Sequence, residues 1–466
     1  MDYFRRWLGG QPPVRTQEYE RVADGDAPLL QNPEVGGRDG QDDLDEHEDE
    51  VPFSWAEYAI FALLGMAMLW AWNMFLAAAV YFQTRFSESP WIAERFQSAI
   101  LAVSTITNLT VLLVLQNLQL NASYPFRINL ALIINTVIFS MLAASTVILV
   151  NAAPALYLAF LLTMVALSAY ATGLIQNGAF AFAASFGRPE YMQALMAGQG
   201  VAGILPPIAQ IVSVLSVPDG AAEGTPREGG GTSAFIYFLT AVAISLAALL
   251  AFIPLARRHV SIMEGRLADR MSSSMASIEV AEHAARKVTS MRRLFAKLPW
   301  LSTALVNCFA VTMFFPVFTA KIFSLRDPQD PSTPALLRPA AFVPLAFFVW
   351  NLGDLSGRVS TALPFSLGHR PFLLFLISVA RAAMVPLYLL CNIGGRGAAV
   401  ESDLFYLFVV QFLFGLTNGW LGSSCMMAAS SWVEEGEREA AGGFMGFCLV
   451  LGLTLGSLLS FTAAGA

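Results

Sequence analysis

A helix needs about 20 largely apolar residues to cross the hydrocarbon core of a bilayer, and this chain supplies eleven such stretches. They run at 57–81, 97–120, 128–150, 156–185, 190–217, 233–256, 298–322, 341–363, 371–393, 403–432 and 439–464. Together they occupy most of the 466 residues, of which 56% are hydrophobic and only 13% charged. No room is left for a folded water-soluble domain, so the chain reads as an all-α polytopic membrane protein. Spans four and five are separated only by Phe186-Gly187-Arg188-Pro189. A single re-entrant excursion there is the main alternative to two separate crossings.

The net charge of -7 is unevenly placed. Residues 1–56 hold 14 of the 34 acids and only 5 of the 27 bases, concentrated around Asp39 to Glu50, so this segment stands near -9 and the remainder near +2. Such a segment cannot bury enough apolar surface to fold alone and is expected to be a disordered tail. Met1 to Pro52 also contains no apolar core of the length a cleavable signal needs, so the first span should serve as the uncleaved insertion signal. No basic patch points to nucleic acid. His47 among its carboxylates reads as part of a solvated tail, and no metal set or cofactor is expected. All four cysteines (Cys308, Cys391, Cys425, Cys448) fall inside spans, where they act as small apolar residues.

Lysine and arginine in the connections set orientation, because cytoplasmic loops carry the excess. Alternate connections, beginning with the tail, hold 18; the opposite set holds 6; Lys321, Arg358 and Arg381 lie within spans. The tail and the long basic loop are therefore expected in the cytoplasm, and an odd number of spans puts the C-terminus on the other side. Asn121-Ala122-Ser123 matches a glycosylation sequon but falls on the cytoplasmic side, so it should be unused. The expected organisation is a tail over 1–56, a six-helix bundle over 57–256, a cytoplasmic linker over 257–297 and a five-helix bundle over 298–466. Two bundles joined by one long connection fit a two-lobe transporter. The linker's basic residues suit anionic headgroups, and Ser272 to Ser274 beside Arg270 form a candidate phosphorylation site.

Polar residues inside the spans carry the functional signal. Span eight holds Asn351-Leu352-Gly353-Asp354-Leu355-Ser356-Gly357-Arg358. One Asp or Arg at the centre of a membrane helix costs roughly 2.5–3.5 kcal/mol on insertion scales, and such residues face a bundle interior or a water-filled path. At i and i+4 the two share a face, where the carboxylate neutralises the guanidinium. Span one carries Trp70-Ala71-Trp72-Asn73-Met74-Phe75; its tryptophans can stack on a flat ring or simply pack helices. Gln176-Asn177-Gly178 in span four offers amides that match a nucleobase edge and equally serve as interhelical glue. Gly198-Gln199-Gly200 in span five permits close backbone approach. Phe314-Phe315-Pro316 in span seven and Thr417-Asn418-Gly419-Trp420 in span ten permit kinks. Arg381 in span nine has no acid at helical spacing and is expected to pair across helices or with backbone carbonyls.

Taken in order, these segments resemble the equilibrative nucleoside transporter family, with fungal members as the expected kin. The resemblance is carried by Trp72-Asn73-Met74-Phe75, Gln176 with Gly178, Gly198-Gln199-Gly200, Phe315-Pro316, Asn351 to Arg358, Arg381 through Val385-Pro386 to Cys391-Asn392, Asn418-Gly419 and Glu439-Ala440-Ala441-Gly442. It implies eleven helices in a 6+5 two-lobe arrangement like that of the major facilitator class, with alternating access to a central nucleoside site. It further implies that Trp72 stacks near the base, that Gln176 hydrogen-bonds it, and that Asp354 and Arg358, with Asn351 beside them, serve the ribose side. Phe315 and Pro316 fall near the outer gate, and Asn73, Arg381 and Asn418 take gating or structural places. Leu76 stands where animal members often have methionine, and Asn177 where some have glycine. Inhibitor sensitivity and base preference, nucleobases included, therefore do not carry over.

A sugar or drug carrier of the major facilitator class is the nearest rival, because Gly353-Asp354 and Gly357-Arg358 echo its loop signature. That signature belongs in a basic loop after span two, yet Asn121 to Arg127 is plain. An enzyme is disfavoured: every histidine (His47, His259, His283, His369) lies outside the spans, and no nucleophile–base cluster appears. In the tail, Tyr19-Glu20-Arg21-Val22 and Asp26-Ala27-Pro28-Leu29-Leu30 match short patterns read by sorting adaptors, which favours an endosomal or vacuolar membrane over the plasma membrane.

Overall fold

A computed structural model of the chain describes residues 53–118, 123–215, 230–272 and 289–464, apart from Pro328, Pro331 and Phe365. The tail with its two sorting patterns, Asn121 of the sequon, and Ser273 and Ser274 lie outside the described residues. Among the described residues, eleven helices are long and apolar enough to cross a membrane. Spans one to six are Trp55–Arg85, Pro90–Asn117, Tyr124–Ile148, Pro154–Ser185, Pro189–Val212 and Gly231–Arg258. Spans seven to eleven are Pro299–Thr319, Pro339–Ser360, Pro371–Leu390, Phe405–Trp432 and Glu435–Ser460.

Proline opens spans two, four, five, seven, eight and nine. Its fixed φ suits the first helical position, where the missing N–H would have no helical partner anyway. This moves the start of span two to Pro90, seven residues ahead of the hydropathy boundary, with Glu94 and Arg95 pairing at 3.5 Å in its exposed first turns. Gly187, at φ 70°, turns the chain between spans four and five, and both flanking helices are full spans. Span seven breaks at Met313 and ends at Thr319. Lys321 therefore lies beyond the span rather than within it, and its carbonyl accepts the Gly394 N–H at 2.7 Å. Span nine tightens to a 3-10 helix over Arg381–Leu390, with Pro386 inside it, and span ten opens as a π-helix over Phe405–Phe412. Both are departures that hydropathy alone does not reveal.

In the first lobe, span one packs against spans five and six, span four against two and three, and span three against six. In the second, span seven packs against nine, ten and eleven, and span eight against ten. The lobes meet where span five crosses span eight and span four crosses span eleven. We call the membrane face carrying the connection between spans six and seven the linker side, and the opposite face the far side. The apolar interior divides accordingly. One core joins residues of both lobes towards the linker side, Phe61, Phe180 and Leu195 with Phe309, Leu421 and Met445. Towards the far side each lobe has its own core, around Phe82, Phe139 and Phe238 in the first and around Phe342, Trp350 and Tyr388 in the second. The halves are fused at one end and separate at the other.

Charged groups secure the linker side. Glu57, 3% exposed at the start of span one, accepts from the Tyr191 hydroxyl and pairs with Arg258 at 3.1 Å. Glu437, fully buried in the first turn of span eleven, pairs with Lys297 and lies 3.5 Å from Arg293, tying the end of the linker to the second lobe.

Candidate functional site

Close helix packing places the polar residues of span eight. A side chain at Gly353 or Gly357 would strike the carbonyl oxygens of Phe412 and Leu416 on span ten. In return, one at Gly415 or Gly419 would strike those of Trp350 and Asp354 on span eight. The four glycines let the two backbones touch, and that contact brings Asn418 to Asp354. The Asn418 Nδ2 donates to Asp354 Oδ1 at 2.7 Å, while Arg358 Nε donates to Asp354 Oδ2 at 2.7 Å. The Asn418 oxygen in turn accepts from the Thr312 hydroxyl at 2.6 Å. Asp354 is 4% and Arg358 5% exposed, so the pair is dry, and both carboxylate oxygens are occupied.

The guanidinium also reaches the other lobe. Arg358 Nη1 donates to the Met196 carbonyl at 2.9 Å and to Gln199 Oε1 at 3.2 Å, both on span five. Gln193, one turn earlier, donates to the Val359 carbonyl at 3.2 Å. The Asp354–Arg358 pair thus forms part of the seam between the lobes. Asn351 donates to the Phe347 carbonyl of its own helix at 2.8 Å, and a Cβ on Gly203 of span five would stand 2.5 Å from its Oδ1.

Arg381 satisfies its charge without an acid. It donates to the Cys308 and Phe414 carbonyls at 2.6 and 3.2 Å and to the Thr312 and Thr417 hydroxyls at 3.1 Å each. Its guanidinium lies 4.4 Å from the centre of the Phe414 ring, a cation–π contact. Phe315 stacks on Trp350 with ring centres 4.1 Å apart, directly after the break in span seven that precedes Pro316. Asn73 donates to the Ala202 carbonyl at 2.7 Å and so ties span one to span five.

Between the lobes, above the seam, lies a cavity of about 220 Å³. Trp72, Phe75 and Met68 of span one form its apolar wall. Ser104, Thr105 and Asn108 of span two, with Thr172 and Gln176 of span four, form a polar wall, and Met313 and Thr454 contribute from the second lobe. A flat aromatic surface opposite convergent hydroxyls and amides suits a small ring compound with a polar edge. The structure therefore brings Trp72 and Gln176 together across one cavity. Asn351, Asp354 and Arg358 lie outside its lining, in the seam below. A second cavity of about 480 Å³ lies on the linker-side face of the same seam, lined by Gln193, Thr361, His369 and Trp432 among others.

Sequence reasoning passed over span two. Ser104, Thr105 and Asn108 share one helical face, and the span is the least buried of the eleven. Polar residues on one side of a long, poorly buried helix were the available signal. Glu57 and Glu437 were also missed, because they lie at span ends where charges are ordinary.

The sequence pattern of the nucleoside transporter family matches residues 162–464, more than half of the chain. The nucleoside transporter FUN26 of Saccharomyces cerevisiae is 29% identical over 443 residues, covering 87% of this chain and 83% of that one. Equilibrative nucleoside transporter 1 of Homo sapiens is 25% identical over 455 residues, covering 87% and 96% respectively. Among solved structures, the proton:xylose symporter XylE superposes with a TM-score of 0.56 at 12% identity, covering 86% of this chain and 87% of that chain. XylE belongs to the major facilitator superfamily, and the likeness establishes the two-lobe fold.

Proposed function

This chain belongs to the nucleoside transporter family, and on that premise we propose that it carries nucleosides across a membrane by alternating access. It is a carrier rather than an enzyme. The observation that bears most weight is the cavity of about 220 Å³ that sets Trp72 against Gln176 between the lobes. Trp72 stacks on the base and Gln176 hydrogen-bonds its edge. The second cavity, on the other face of the seam, supports a path that opens alternately on either side. Transport then requires the seam to part, releasing Arg358 from Met196 and Gln199. The freed guanidinium, with Asp354 and Asn351, would meet the sugar hydroxyls, and Phe315 and Pro316 would shape closure on the far side.

The linker side is the cytoplasmic side by its lysine and arginine content, and the C-terminus lies opposite. The functional units are the lobes 57–256 and 298–466, the tail 1–56 and the linker 257–297. The tail patterns at Tyr19–Val22 and Asp26–Leu30 support recognition by sorting adaptors and an endosomal or vacuolar address.

The deciding measurement is uptake into proteoliposomes holding the purified full chain. Labelled adenosine and uridine should enter and equilibrate, and glucose should not. Uptake of glucose with neither nucleoside would overturn the proposal in favour of a sugar carrier.

A further inference from the structure

The polar wall of the cavity contains one hydrogen bond that decides what the wall can recognise. Asn108 Nδ2 of span two donates to Gln176 Oε1 of span four at 3.2 Å, and both residues line the cavity. The glutamine amide has one carbonyl oxygen and two N–H donors. Its terminal torsion is broad and two-fold, so an unheld glutamine presents either end to a ligand. Here the oxygen is engaged by Asn108, which leaves the Nε2 end for the cavity. The asparagine's own Oδ1 is buried with no hydrogen-bond partner in the protein, and a Cβ on Gly173 would stand 3.2 Å from it.

We infer that Asn108 is a positioning residue that holds the Gln176 amide as a hydrogen-bond donor and so sets the polarity with which the cavity reads a base. The inference rests on the proposed placement of Gln176 beside the base. Two N–H groups call for an in-plane acceptor, such as a ring nitrogen or a carbonyl oxygen. A base lacking that acceptor leaves buried donors unpaired, which is where selectivity arises. Leucine at 108 would free the amide to present its oxygen as readily as its nitrogen. Aspartate at 108, of nearly the same shape, accepts rather than donates and would turn the amide over.

The test compares adenosine with its 1-, 3- and 7-deaza analogues, each of which replaces one acceptor ring nitrogen by C–H. Apparent affinities come from competition against labelled adenosine uptake in proteoliposomes holding the full chain. The wild-type protein should prefer adenosine over one analogue by about three- to tenfold, the range of one neutral hydrogen bond. Gln176→Ala should bring that ratio near one. Asn108→Leu should do the same, and Asn108→Asp, which turns the amide over, should bring the ratio to one or below. A structural role for Asn108 would lower uptake of every compound together and leave the ratio alone. An unchanged ratio in either Asn108 variant, alongside its loss in Gln176→Ala, overturns the inference and leaves the base placement standing. No preference in the wild type, or a ratio that survives Gln176→Ala, removes the placement of Gln176 and the inference with it.

Discussion

At Arg358 four interactions converge on one planar group: Nε holds Asp354, and Nη1 reaches the Met196 carbonyl, Gln199 and, at 3.8 Å, the Met196 sulfur. A lysine keeps the charge but not the fork of donors. Arg358→Lys should therefore reach the membrane in normal amount yet lose at least about tenfold in uptake rate, because one charge-assisted hydrogen bond is worth about 1.5–3 kcal/mol and about 1.4 kcal/mol is a factor of ten. Initial rates normalised to protein in the bilayer check this, and an unchanged rate and affinity would refute any role in transport. The pairing of Asp354 with Arg358 was legible from i, i+4 spacing. The direction of their shared face was not. Spacing within one helix says nothing about which neighbour that helix meets, and here it meets Asn418 and Gln199 rather than the cavity. Asn108 was illegible for the same reason, since its meaning depends on Gln176, 68 residues away.

Among the elements, spans eight and ten form a tight unit, with glycines from each set against the other's carbonyls. Gly419→Ala would drive a methyl group into the Asp354 carbonyl, forcing the helices apart and stretching the Asn418–Asp354 bond. The expected result is a lower melting temperature of the detergent-solubilised protein, reflecting the roughly 1–3 kcal/mol of stability that overpacking costs. The matched control, adding the same methyl group at an open position, is Gly231→Ala, where a Cβ meets nothing within 4 Å and stability should hold. Equal melting temperatures for the two variants would mean the glycine contact is not close. Nearly all helix positions were readable from hydropathy, because a bilayer imposes a minimum length that few soluble segments match. The 3-10 half of span nine and the π-helical start of span ten were not readable. They hold side chains buried between helices, Arg381 among Cys308, Thr312 and Phe414, and Gln411 between Thr319, Tyr388 and Tyr406, contacts that hydropathy does not report.

Over the whole molecule, the two lobes are fused through the contact of spans five and eight, where a Cβ on Gly200 would lie 3.2 Å from the Leu355 Cα. Cysteines at both positions are close enough for a disulfide, and the four native cysteines are buried. Cys391 stands just beyond the end of span nine at Leu390 rather than inside it, and burial pushes its thiol up to about 11, so it stays protonated and unreactive at neutral pH. Oxidation of a Gly200→Cys, Leu355→Cys variant should stop uptake while leaving nucleoside binding intact, and a reductant should restore transport. Continued uptake with the cross-link complete would mean that these spans do not separate. Neither this fusion nor the state it defines could be read from composition, since a sequence lists both ends of every span without saying which ends are together. The division of the apolar interior into one joint core and two separate ones has a thermal consequence. Burying apolar surface lowers the heat capacity of a complex, so calorimetry can report how far the lobes move when a compound binds. A compound that merely occupies the cavity should bind with only the small negative heat capacity change of its own contact with Trp72 and Phe75. One that draws the core around Phe139 towards the core around Trp350 while the joint core stays whole should give a clearly more negative value. The size of that quantity, followed across a set of nucleosides, would sort those that arrest the carrier from those that pass through it.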